Sequence, residues 1–250
     1  MAKSGGSRGA PRHGKGGRKA DASSPRRGGG RARSARSSTA ARPTPRAEPA
    51  APEPTRFVLG AMPGATPGRW IDTWRERMPH VELELRPVEV AHQREELLSG
   101  EVDAALVRLP LDADGLHVIP LYEEQAVVVV SKVSHLTAAD ELDLGDLEGE
   151  VVLTPADDVL GFTVPGAVAP VFEAPATTAD AIATVAAGVG AVIVPMSLAR
   201  LHQRRDAASI PLRDGPASQV ALAWPAARTT PHVEVFVGIV RGRTANSSRT

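Results

Sequence analysis

The side chains most suited to chemistry in this sequence are hydrogen-bond donors placed where helices begin. "MPGATP", Met62 to Pro67, follows the apolar run "RFVLGA" and precedes a helical pattern. Backbone amides at such a corner point outward and favour an anion, so Met62, Pro63, Gly64, Ala65 and Thr66 are candidate ligand contacts. A second corner is Thr177 and Thr178, ahead of "ADAIATVAAGVG". Either corner also reads as an ordinary helix cap, since Ser and Thr cap most helices. Arg108, at the end of the apolar run "VDAALVRL", is read as a ligand counter-ion or as one half of a surface ion pair.

Covalent and metal chemistry find no footing. The chain has no cysteine, which removes disulfides, thiolate metal sites and cysteine nucleophiles. Its seven histidines are scattered without metal spacing. "GAMPGATPG" does not fit the dinucleotide fingerprint, and neither a phosphate-binding loop with GK[ST] nor a G-x-S-x-G elbow occurs in the folded part. The carboxylate clusters "REE", "DADG" and "PADD" read as solvated loops or helix faces. The expectation is therefore no catalytic residue, no metal and no cofactor.

The elements that must position these donors are legible. "RFVLGA" reads as a strand, and "TPGRWIDTWRERMP" as a helix with Thr66 as cap and Pro67 at its first position. That helix puts Trp70, Ile71, Trp74 and Met78 on one face, which suits packing against a sheet or, alternatively, a contact between two copies. "VELELRPV", the helical "AHQREELLSG" and the strand "VDAALVRL" complete a βαβαβ unit. "GLHVIPLYEEQAVVVVSK" supplies two more strands, and "LDLGDL" looks helical. A second series follows: strands at "EVVLT" and "PVFEA", then "TTADAIATVAAGVGAVIVPMSLARL". There Thr177 or Thr178 caps a helix, Gly188 ends it in a left-handed turn, Ala191 to Val194 form a strand buried on both faces, and Pro195 starts the next helix. "ASIPL" and "QVALAW" are strands, and "TPHVEVFVGIVRGR" is a helix with Val235, Phe236, Ile239 and Val240 on one face.

The 250 residues carry 29 basic and 29 acidic side chains, but this balance hides two opposite halves. Residues 1 to 54 hold 13 Lys or Arg against Asp21, Glu48 and Glu53, and no Leu, Ile, Val, Phe, Trp or Tyr. Such a segment buries too little apolar surface to offset its ordering entropy and reads as a disordered basic tail. It lacks the apolar stretch of a secretory signal, and no later run approaches a membrane span, so a cytoplasmic protein is expected.

The order of pieces resembles the effector-binding domain of LysR-type transcriptional regulators. "RERMPHVELEL" and "ELLSGEVDAALVRLP" are similar to that family's first helix and third strand, "PLYEEQAVVVVSKVSH" to its crossing between lobes, and "VAAGVGAVIVPMSLARL" to its glycine-proline signature. The resemblance covers about residues 56 to 243, and no winged helix-turn-helix is read ahead of it. It implies an α/β, periplasmic-binding-protein-like type 2 fold with an interlobe cleft, spanning residues 55 to 250. Lobe one is placed at about 56 to 130 plus 226 to 243, and lobe two at about 131 to 225. The cleft candidates carried over are Met62 to Thr66, Arg108, Leu109, Thr177, Thr178 and Pro195. The expected function is binding of a small, anionic or polar metabolite in transcriptional regulation, as a homodimer, with non-specific DNA contact through residues 1 to 54. The alternatives are a cytoplasmic small-molecule-binding module or a dimerisation module with no DNA role.

Overall fold

The computed structural model describes residues 55–242, and the expectation of a disordered tail at residues 1–54 lies outside them. Nine strands and five α-helices follow one another as β1 (Thr55–Ala61), α1 (Gly68–Arg77), β2 (Val81–Pro87), α2 (Gln93–Ser99), β3 (Ala104–Arg108), β4 (Leu116–Glu124), β5 (Ala126–Ser131), β6 (Val152–Leu153), α3 (Thr178–Ala186), β7 (Ala191–Pro195), α4 (Met196–Leu201), β8 (Ala207–Pro211), β9 (Ser218–Pro225) and α5 (Pro231–Val240). Among the described residues no helix is long and apolar enough to cross a membrane.

These elements form two sheets. The first has the order β2-β1-β3-β9-β4, with β1 parallel to β2 and β3, and β9 antiparallel to β3 and β4. The second has the order β6-β7-β5-β8, with β7 parallel to β6 and antiparallel to β5. The chain therefore leaves the first sheet at Gln125, between β4 and β5, and returns to it at β9. Relative to the boundaries read from sequence, β5 moves to the second lobe and β9 to the first. The apolar runs "AVVVV" and "QVALAW" suit a buried strand in either sheet, so composition alone does not assign them.

Packing explains most of the elements. In the first lobe, α1 and α5 cover one face of the sheet, where Phe57, Leu59, Trp74, Leu222 and Phe236 are buried together. Trp74 is fully buried, stacks on Phe57 at 4.6 Å between ring centroids, and donates from Nε1 to the Val81 carbonyl at 3.2 Å. The sheet-packing reading of this tryptophan holds, and it cannot anchor a contact between copies. On the other face, Leu97 from α2 is buried among Val88, Val102, Ala105 and Val107. In the second lobe, α3 and α4 bury Ile182, Val185 and Leu198 against Val127, Val192 and Val194. The opposite face of that sheet is covered by two short 3-10 turns, His135–Ala138 and Leu144–Leu147, and by irregular chain carrying Val164.

Three local expectations change. Thr66 does not cap α1: the capping position is Pro67, and no side chain bonds there. "PVFEA" is not a strand, and Val171 and Phe172 are exposed, because the chain from residue 154 to 176 runs as turns and bends. In α5, capped by Thr230, Phe236 and Ile239 are buried and Val235 and Val240 half-buried as the pattern implies, but Val233, not singled out, is fully buried beside them.

Candidate functional site

The junction of the two lobes is built from the ends of strands. After β1 the Met62 amide donates to the Leu106 carbonyl at 3.2 Å, and the Ala65 amide donates back to the Met62 carbonyl at 3.2 Å, so the loop folds tightly over the end of β3. Gly64 lies in the left-handed region at φ 84°, and a β-carbon there would stand 2.6 Å from Ser197 Oγ, at the start of α4. Only glycine allows both this turn and this approach of lobe one to lobe two.

Arg108 closes β3 beneath that loop and is 1% exposed, so it is neither a surface ion pair nor a free counter-ion. Its backbone is held by the buried Gln93 side chain, whose Oε1 accepts from the Arg108 amide at 3.0 Å while Nε2 donates to the Arg108 carbonyl at 2.7 Å. Gln93 thus substitutes for a neighbouring strand. Arg108 Nη1 donates to Glu124 Oε2 at 3.1 Å and to Ser218 Oγ, and Nη2 donates to Ser197 Oγ at 3.4 Å. Ser197 in turn donates to Glu124 Oε2 at 2.7 Å. One ion pair and two hydroxyls therefore join the ends of β3 and β4, the start of β9 and the start of α4. A buried pair survives only with such support, because each ion loses its hydration. Arg108 Nε is the one buried side-chain nitrogen or oxygen among the described residues that has no hydrogen bond.

Beside this network lies a crevice of about 660 Å³, lined by Gly64 to Thr66, by Tyr122 to Gln125, and by Met196, Ser197, Arg200 and Leu201 from α4. The cluster mixes a phenol, an amide, hydroxyls, two carboxylates and one guanidinium. Burial pushes the Tyr122 phenol up from its ordinary pKa, with the Glu124 charge adding to the rise and Arg108 opposing it.

Of the residues singled out from sequence, Gly64, Ala65 and Thr66 line this crevice, Pro195 precedes α4 and so sets Ser197, and Arg108 stands behind Glu124. Met62 is buried under the loop, Pro63 is exposed, and Leu109 packs partly into the α2 side of lobe one. Thr177 and Thr178 lie elsewhere, at the start of α3. Thr177 Oγ1 caps the Asp180 amide at 3.1 Å and donates to the Asp180 carboxylate at 2.8 Å, while the buried Thr178 donates to Asp157 at 2.9 Å. Tyr122, Glu124, Ser197 and Ser218 were not singled out by sequence. "PLYEEQ" carried the only available hint, paired acids where an apolar run is interrupted. Among the described residues no three His, Asp or Glu side chains converge as metal ligands.

Two α/β lobes joined by two chain crossings, with a crevice between them, constitute a type 2 periplasmic-binding-protein-like architecture. The LysR substrate binding domain matches residues 51–245, and the chain belongs to that family. It is 34% identical over 153 residues to the HTH-type transcriptional regulator CatR of Pseudomonas putida, covering 57% of this chain and 52% of that protein. It is 29% identical over 137 residues to the regulator AlsR of Bacillus subtilis, covering 51% of this chain and 45% of that protein. The chain thus spans about half the length of the curated relatives it matches, and both are transcriptional regulators rather than enzymes. The fold is shared with the BenM effector binding domain with its effector benzoate, at TM-score 0.62, 20% identity and 78% and 95% of the two chains. It is shared also with the oxidized form of OxyR, at TM-score 0.60, 19% identity and 78% and 98% coverage.

Proposed function

We propose that this chain is the effector-binding part of a cytoplasmic LysR-type regulator, and that its small-molecule effector sits in the crevice between the Gly64–Thr66 loop, the Tyr122–Gln125 crossing and α4. The observation that carries this reading is that both lobes and the chain crossing at residue 125 meet at the Arg108–Glu124 pair beside that crevice. A ligand there contacts both lobes at once, so its binding energy biases the angle between them. A thermal-shift screen of metabolites against the whole chain, repeated with Gly64→Val, is the test. A hit whose stabilisation survives Gly64→Val unchanged places the effector somewhere else.

The same reading includes self-association and contact with DNA. Between residues 126 and 212 all four Lys and Arg, namely Lys132, Arg200, Arg204 and Arg205, line one open groove of about 980 Å³ beside α4 and β8. This basic face on an otherwise acidic lobe suits an acidic surface of a second copy. Sedimentation at low and high salt tests it, and a monomer at tens of micromolar in both removes it. The 13 cationic residues of segment 1–54, with no aromatic residue to stack on bases, suit phosphates without sequence preference. If about eight phosphates are neutralised, affinity for unrelated duplexes falls roughly 10³- to 10⁴-fold between 50 and 200 mM salt. Equal binding after removal of that segment leaves the alternative of an effector-binding module with no DNA role.

A further inference from the structure

Two of the places that the sequence marks for an anion, Arg108 and the start of α3, already hold a carboxylate of the chain itself. At Arg108 the guanidinium is bonded to Glu124, whose Oε2 also accepts from Ser197. At the start of α3 the Thr177 hydroxyl is committed to Asp180 and the Thr178 hydroxyl to Asp157. An anionic ligand at either corner must displace or sit against one of these charges, and like charges brought together without solvent repel strongly. These two positive features are consumed internally, whereas the start of α1 carries no acidic residue in its first turn.

The crevice also presents an acceptor that the chain leaves unmet. Glu124 accepts both of its hydrogen bonds on Oε2, and its Oε1 accepts none among the described residues. The side chain is still 9% exposed, and it lines the crevice together with the exposed Glu123. A carboxylate oxygen at the edge of a cavity is free to accept from a ligand donor. Arg108 Nε, fully buried, is itself left without an acceptor. Arg200 is the one cation lining the same crevice, against Glu123 and Glu124.

We infer that the effector presents an N–H or O–H donor to Glu124 and is neutral or cationic, an amide, polyol or amine rather than a carboxylate. This rests on the effector-site reading given above and deepens it. Glu124 is the residue that sets the preference: it holds the place at Arg108 that an anion would otherwise take, and it turns its second oxygen to the ligand. Arg108 is a positioning residue, acting through Glu124.

The experiment uses three probes of one shape and different charge, namely benzamidine, benzamide and benzoate, titrated into the whole chain and followed by amide shifts of Gly64, Glu124 and Ser197. The expected result is that benzamidine and benzamide move these signals and that benzoate binds at least tenfold more weakly. In Glu124→Gln the buried guanidinium is released, so benzoate tightens tenfold or more and benzamidine weakens by a similar factor. Benzoate binding to the unaltered chain as tightly as benzamidine overturns the inference and leaves the crevice standing as the effector site. Binding of any probe that shifts none of the three residues, or no binding by any probe, overturns the crevice as well. The unaltered chain alone decides between these outcomes, so a variant that fails to fold does not block the test.

Discussion

The two lobes solve the same problem with different materials. The first has five strands with helices on both faces, α1 and α5 over an aromatic cluster and α2 behind. The second has four strands with helices on one face only, while its other face is closed by 3-10 turns and by the irregular chain between β6 and α3. Regular helices bury a periodic stripe at little cost in irregular backbone. Turns must bury single side chains such as Leu136, Leu147 and Val164, each carried by its own local bend. The loop-covered face is thus the more easily opened part of the molecule, since it has fewer cooperative hydrogen bonds per buried residue. Charge follows the same division, with 4 Lys and Arg against 11 Asp and Glu between residues 126 and 212.

The largest effect separating the lobes is expected from Trp74→Ala, which removes the centre of the aromatic cluster and costs about 3–5 kcal/mol. Leu147→Ala, under the turn-covered face, is expected to cost about 2 kcal/mol, because the turns can settle into part of the cavity. Equal losses by denaturant titration would erase the contrast in packing. Between these lies the junction: Arg108→Met leaves Glu124 buried without its counter-ion and is expected to cost about 3 kcal/mol, most of it recovered by adding Glu124→Leu. No recovery in the double variant means that the pair is not the unit that joins the lobes. A smaller effect separates the two helix corners, where Thr177→Ala loses a cap worth about 1 kcal/mol and Thr66→Ala, with no cap to lose, stays within about 0.5 kcal/mol.

The smallest expected effect uses the single tyrosine of the chain, Tyr122. Its raised pKa means that the folded chain holds the phenol proton more firmly than the unfolded chain does. That contribution is whole below the ordinary tyrosine value near ~10 and is lost as pH rises through the folded value. Phenolate absorbance should therefore titrate later in the folded chain than after denaturation, and stability should fall more steeply above that pH than it does in Tyr122→Phe. Coincident titrations would place the phenol outside the junction's field.

The fold was legible wherever a periodic pattern met a punctuating residue. Gly100 and Gly188 both take positive φ where a helix ends, and the sequence "AVIVP" is buried along its whole length as its composition implies. The strand expected at "PVFEA" failed because three prolines, Pro165, Pro170 and Pro175, punctuate that stretch and outweigh its apolar residues. At the site, the loop glycine and the arginine were legible as residue types. Their partners were not, since Glu124 is 16 residues from Arg108, Ser197 is 89 and Ser218 is 110. Spacing along the chain carries no trace of such a meeting. For the same reason Arg108 and the start of α3 read as vacant in the sequence, although Glu124, Asp157 and Asp180 occupy them.

The return of β9 to the first sheet has a consequence for the order of assembly. Residues 126 to 212 form one uninterrupted stretch with every strand of their sheet, so the second lobe can close as soon as it has been synthesised. The first lobe, although begun earlier, waits with a gap between β3 and β4 until β9 emerges to fill it. Ser218 is the first residue of that strand, so Arg108 gains its last polar partner only when β9 docks. The charge at the junction is thereby left in water while the chain is incomplete, and it is buried in the step that makes the two lobes one body.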